Sequence, residues 1–193
     1  MAGGTRAVVL DAVFGRAMAA FERARRLDPA PMLAAAGVLA DAVRRDAAIL
    51  VCGNGGSAAD AQHFAAELVG RYVKERRALR ALALSTDTSI LTAVGNDYGF
   101  ARVFARQVEA HGRAGDALVA ISTSGASPNV LEAVEVARAR GLATIALTGR
   151  DGGELGRLAD IHVNVPEVET ARVQEVHIML LHAMCEMVDG EIQ

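Results

Sequence analysis

The chain is predicted to fold as an α/β protein, a three-layer αβα arrangement around a five-stranded parallel sheet. Three observations carry this. Short apolar runs recur at 48–52, 81–85, 117–121, 143–147 and 161–165; the gaps between them hold helix-length stretches; and within the first four runs apolar residues stand largely at consecutive positions rather than alternate ones. Strands buried on both faces have this pattern, because crossover helices must cover both sides of a parallel sheet.

Before the first strand, the segment 5–45 is rich in Ala and Arg and spaces Val9, Val13, Ala17 and Phe21 at helical intervals. It breaks around Asp28-Pro29-Ala30-Pro31, so it reads as two helices. They cannot be crossovers and are expected to pack on the sheet flank or, in an oligomer, against another copy of the chain.

The first strand, Ile49-Leu50-Val51-Cys52, runs into Gly53-Asn54-Gly55-Gly56-Ser57 and then into a helix bearing His63 and Glu67. Glycines there let the backbone take positive φ and approach a ligand closely, while Ser57 and the free N–H groups of a starting helix can hold phosphate oxygens. Gly53, Gly55 and Ala58 also fit a dinucleotide fingerprint. The acidic residue that such a site needs could only be Asp87, which lies late, and a P-loop lysine is absent, so no nucleotide cofactor is expected.

His63 and Glu67, four residues apart, share a helix face and can reach one metal ion or one substrate carbon. They lie about 9 to 15 Å along the helix from the glycine turn, within reach of a sugar chain. The competing reading is a solvated helix face.

The third strand leads into Ser122-Thr123-Ser124-Gly125-Ala126-Ser127, with Pro128 opening the next helix. Four hydroxyls at a positive helix end can neutralise a phosphate monoester through dipoles alone. The alternative is that Ser127 merely caps the helix. A last helix over about 168–189 carries Gln174, Glu175, His177 and His182. Gln174 and His182 stand about 12 Å apart along its axis and about 80° apart around it, so one metal ion reaches both only if the helix bends or if two copies of the chain contribute.

The 193 residues are 52% hydrophobic and 22% charged, as expected of one soluble domain over 1–193, with helices over about 1–45 and an α/β core over about 46–193. No apolar run approaches the ~20 residues that span a bilayer, and Arg6, Asp11 and Arg16 break up the start, so no membrane segment or signal peptide is expected and the protein is placed in the cytoplasm. A net charge of −3 without a basic stripe argues against nucleic acid as a partner. Cys52 and Cys185 sit in apolar contexts and read as core residues.

Five segments together carry a resemblance: CGNGGSAADAQHFAAELVGRY at 52–72, VGNDYGF at 94–100, ISTSGASPNV at 121–130, LTGRDGG at 147–153 and RVQEVHIMLLH at 172–182. On these the chain resembles the phosphoheptose (sedoheptulose 7-phosphate) isomerases of the sugar isomerase, or SIS, superfamily. The resemblance implies the SIS fold and the interconversion of D-sedoheptulose 7-phosphate and D-glycero-D-manno-heptose 7-phosphate, early in bacterial heptose biosynthesis. It places Asn54, Gly55, Gly56, Ser57, Glu67, Asn96, Asp97, Ser122, Thr123, Ser124, Ser127 and Gln174 at the substrate. Glu67 and His182 become the acid/base pair, and His63, Glu67, Gln174 and His182 the ligands of one zinc ion per subunit. It also implies a homotetramer with active sites at subunit interfaces.

The competing class is a non-catalytic SIS-domain protein that binds a sugar phosphate or a replication-initiator protein. Retention of Glu67 and His182, which the initiator-binding relative lacks, favours the enzyme. His177 is expected to be structural or interfacial, and His111 and His162, away from every motif, are expected to play no particular part.

Overall fold

The computed structural model describes residues 2–192. Two helices, α1 (Ala2–Ala24) and α2 (Ala30–Arg44), precede an alternation of β1 (Ile49–Gly53), α3 (Gly56–Val69), β2 (Ala81–Ala83), α4 (Thr88–Tyr98), α5 (Ala105–His111), β3 (Ala117–Ser122), α6 (Pro128–Ala139), β4 (Ala143–Gly149), α7 (Gly153–Leu158), β5 (Ile161–Val165) and α8 (Thr170–Glu191). A 3₁₀ turn at Phe100–Arg102 joins α4 to α5. All five strands pair in parallel in the order β2-β1-β3-β4-β5. The order reverses beside β1, which sets the carboxyl ends of β1 and β3 next to each other, where open parallel sheets bind ligands.

Consecutive apolar residues fill two cores. Ile49, Val51, Val119, Ile121 and Leu147 face Leu39, Phe64, Leu68, Leu181 and Met184 of α2, α3 and α8. Leu50, Cys52, Leu118, Ala120 and Ala146 face Phe104, Val108, Val130, Val134 and Leu155 on the other side. The β2 run is the outlier: 81–85 is expected, but pairing with β1 ends at Ala83↔Val51. This edge strand has a neighbour on one side, and beyond Leu84 the chain turns into α4.

Helix α1 touches the body chiefly through its carboxyl half, where Ala20 packs with Val165, Val173 and Val176. Arg172 donates to the Val13 carbonyl at 3.0 Å and Arg23 pairs with Glu167. The rest of its apolar side, including Val9, Leu10, Phe14 and Met18, is exposed. At the far end of α8, Asp189 holds the buried Arg76 guanidinium at 2.8 Å, which fixes the loop that follows α3. Among the described residues, no helix is long and apolar enough to cross a membrane.

His177 is fully buried, and its Nε2 bonds the Thr148 carbonyl at 3.0 Å, tying α8 to β4. Its role is structural: burial pushes the imidazole down to about 4, with the hydrogen bond to Thr148 opposing. Between about 6.5 and 4 the unfolded chain therefore binds a proton here that the folded chain refuses, and stability falls as the pH falls. Urea unfolding is expected to show the wild type losing stability relative to His177→Gln between pH 7 and pH 4.5. A pH-independent gap between the two proteins would contradict this.

Candidate active site

The glycine turn after β1 requires its glycines for different reasons. A Cβ on Gly53 would lie 2.7 Å from the Ser57 carbonyl oxygen, Gly55 has φ +55°, and a Cβ on Gly56 would lie 2.4 Å from Gln174 Nε2. Helix α3 starts at Gly56 with no side-chain cap. The Ser57 and Ala58 amides bond back to Asn54 and Gly55, whereas those of Gly55 and Gly56 have no backbone partner among the described residues. These amides at a positive helix end can receive an anion.

The hydroxyl turn after β3 lies alongside. Ser122 Oγ is 3.0 Å from Ser127 Oγ and 3.4 Å from Ser124 Oγ, and Ser124 Oγ accepts from the Ala126 amide at 3.2 Å. Ser127 makes no side-chain cap to α6, so the simple capping role drops away. Gly125, at φ +64°, lies so close to the 149–153 loop that an added Cβ would sit 2.1 Å from the Gly152 carbonyl oxygen. His162 in turn packs on Gly152 and Gly156 and bonds Thr148 Oγ1 at 2.6 Å. Away from every sequence motif, it nonetheless pins the loop that buttresses the hydroxyl turn.

Two helical turns along α3, His63 and Glu67 meet His182 of α8. His63 Nε2 is 3.0 Å from His182 Nε2 and 3.2 Å from Glu67 Oε1. The three donor atoms lie within 4.8 Å of one another, close to the spread of ligands set about 2 Å from one ion. Two facing imidazole nitrogens are satisfied either by one donating to the other or by both directing lone pairs at a shared cation. Donors of this type and number fit a catalytic zinc site that keeps a position open. Behind them the Tyr72 ring stacks on His182, with centroids 5.6 Å apart. One turn ahead on α3, burial pushes the Asp60 carboxyl up to about 6, with His63 opposing.

Not every expected site residue joins this set. Helix α8 runs unbroken from Thr170 to Glu191, and Gln174 lies against Gly56 at the glycine turn, about 12 Å before His182. Within one chain it belongs to the glycine-turn end. Asn96 and Asp97 are exposed near the end of α4, where the Asn96 amide donates to Asp97 at 2.8 Å. Two residues outside the expected set enter it. Asn129 bonds Asn54 through both amide atoms, and Tyr72 covers His182. Their only sequence signal was membership of the 121–130 and 52–72 segments.

A parallel αβα sheet with a glycine-rich and a hydroxyl-rich turn at adjacent strand ends has the form of an α/β protein able to receive an anion, and the SIS domain family matches residues 14–149. The phosphoheptose isomerase of Neisseria gonorrhoeae is 55% identical over 180 residues, covering 92% of this chain and 91% of that one. Its solved counterpart superposes with a TM-score of 0.89 at 52% identity over 94% of this chain and 97% of that one. The phosphoheptose isomerase of Francisella tularensis gives 0.90 at 38% identity over 94% and 96%. The chain belongs to the phosphoheptose isomerase family of SIS-domain proteins.

Gly125→Ala tests the hydroxyl turn, since it forces a β-carbon into the Gly152 backbone at a left-handed φ. Calorimetry is expected to show inorganic phosphate binding weakened at least about tenfold, with a lowered melting temperature. Unchanged phosphate affinity would contradict the assigned turn.

Proposed function

We propose that the protein interconverts D-sedoheptulose 7-phosphate and D-glycero-D-manno-heptose 7-phosphate through an enediol, early in bacterial heptose biosynthesis and in the cytoplasm. The observation that carries this reading is the meeting of a carboxylate and an imidazole, Glu67 and His182, in a protein whose two anion-receiving turns hold no lysine or arginine. Moving a carbonyl between C2 and C1 requires a proton to leave one carbon and return to its neighbour, with no redox cofactor. Glu67 carries that carbon-bound proton, and His182 exchanges protons with the adjacent oxygens. Groups in such roles each contribute about 10²- to 10⁴-fold. His63, Glu67 and His182 would hold zinc, with Gln174 as a further ligand. Zinc supplies a Lewis acid for the carbonyl when bound.

Length bounds where the substrate can lie. From Gly56 to His63 is about 10 Å along α3, and a phosphate sits about 3 Å ahead of the helix end. From C1 to the phosphorus an extended heptose 7-phosphate has eight bonds and, advancing about 1.3 Å per bond, spans about 10 Å. That reach brings the histidine pair of the same copy to the limit of the sugar chain, whereas Gln174, held at the glycine turn about 12 Å before His182 on the unbroken α8, cannot share one ion with that histidine within a single copy. The site is completed between copies: one gives the turns and Gln174, another gives His63, Glu67 and His182. The exposed apolar side of α1 supports assembly, and we assign a homotetramer.

Steady-state assays with sedoheptulose 7-phosphate test the chemistry. Glu67→Gln and His182→Gln are each expected to lower kcat by about 100-fold or more while inorganic phosphate binding stays within about threefold. Full turnover by folded Glu67→Gln would refute its role. Phosphate binding without turnover in the wild type would favour a sugar-phosphate-binding module.

A further inference from the structure

Beyond the carboxyl ends of β1 and β3 the two chains part, each into its own helix. Their last paired residues are Gly53 and Ile121. The next rung is made by side chains: Asn54 Nδ2 donates to Asn129 Oδ1 at 2.8 Å and Asn129 Nδ2 donates to Asn54 Oδ1 at 2.8 Å. Asn129 is the second residue of α6 and 2% exposed, while Asn54 is half-buried within the glycine turn. Among the described residues this pair is the side-chain hydrogen bonding that joins the two turns.

We propose that Asn129 is a positioning residue that clamps the glycine turn to the hydroxyl turn, so that both receive one phosphate as a single preorganised cradle. The inference rests on the sugar-phosphate reading of those turns. Reciprocity makes the clamp directional: turning either amide over would set N–H against N–H and carbonyl against carbonyl. Each amide spends one N–H and one acceptor position on its partner, which leaves Asn54 a second N–H for a ligand in the orientation that Asn129 dictates. Burial raises the cost of breaking the pair, because Asn129 would be left without a partner in a dry site. A cradle that lacks cationic side chains depends on dipoles already pointing the right way, so slack between the turns weakens binding of the phosphate while leaving the distant acid/base pair intact.

The test is a double-mutant cycle read by calorimetry with inorganic phosphate and by steady-state kinetics. In Asn129→Ala, phosphate affinity is expected to fall about tenfold and KM for sedoheptulose 7-phosphate to rise in parallel, with kcat within about threefold. In an Asn54→Ala background the same substitution is expected to change phosphate affinity by less than about twofold, because its partner is already gone. Asn129→Ser, smaller but polar, serves if the alanine variant does not fold, with circular dichroism establishing the folded state. Unchanged phosphate affinity in a folded Asn129 variant, or equal losses in both backgrounds, overturns the clamp. So does a fall in kcat at constant KM. A wild type that binds phosphate in this Asn54-dependent way yet leaves sedoheptulose 7-phosphate unconverted would refute the reaction and leave the clamp supported.

Discussion

Helices α3 and α8 lie side by side and run the same way, and the rest of the site follows from that parallel packing. Three rungs fix their register: Gly56 against Gln174, His63 and Glu67 against His182, and the loop beyond α3 against Asp189 through Arg76. Phe64 and Leu68 of α3 share a core with Leu181 and Met184 of α8, so the register is enforced by apolar burial and not by the polar groups themselves. Parallel helices keep equal spacings, which is why eight residues on α8 and seven on α3 both separate the phosphate end from the histidine end by about 10 to 12 Å.

The two ends are built from different physics. The proposed phosphate end offers helix amides and hydroxyls, which are uncharged and fixed in direction, so binding there would depend on geometry more than on net charge. The histidine end uses two imidazoles and a carboxylate, steadied by the Tyr72 ring and by contact with one another. In the proposed reaction, separating anion capture from proton transfer lets remote binding energy hold the sugar while its far end reacts.

Much of the fold was legible because parallel strands and glycine turns have local causes. The 161–165 strand is found as expected, and 117–121 extends by one residue. Pro128 opens α6 as its ring chemistry requires. The helical rise alone separated Gln174 from His182, and the structure, with α8 unbroken, removes the bent-helix alternative. What stayed hidden depends on segments far apart in sequence. Asn129 lies 75 residues from Asn54, and His162 earns its place only by the glycines it covers. The short β2 reflects its edge position in the sheet, which no local pattern encodes.

The central claim is that each reaction centre joins the phosphate turns of one copy to the histidine pair of another. Subunit mixing tests it most directly: a phosphate-turn variant, Ser124→Ala with Ser127→Ala, is refolded or co-expressed with Glu67→Gln, each being nearly inactive alone. Hybrid assemblies are expected to recover a substantial fraction of wild-type turnover, since some centres then draw both intact halves from different chains. Hybrids as inactive as their parents, at verified mixed composition, would show that each chain carries its whole site and would contradict the account.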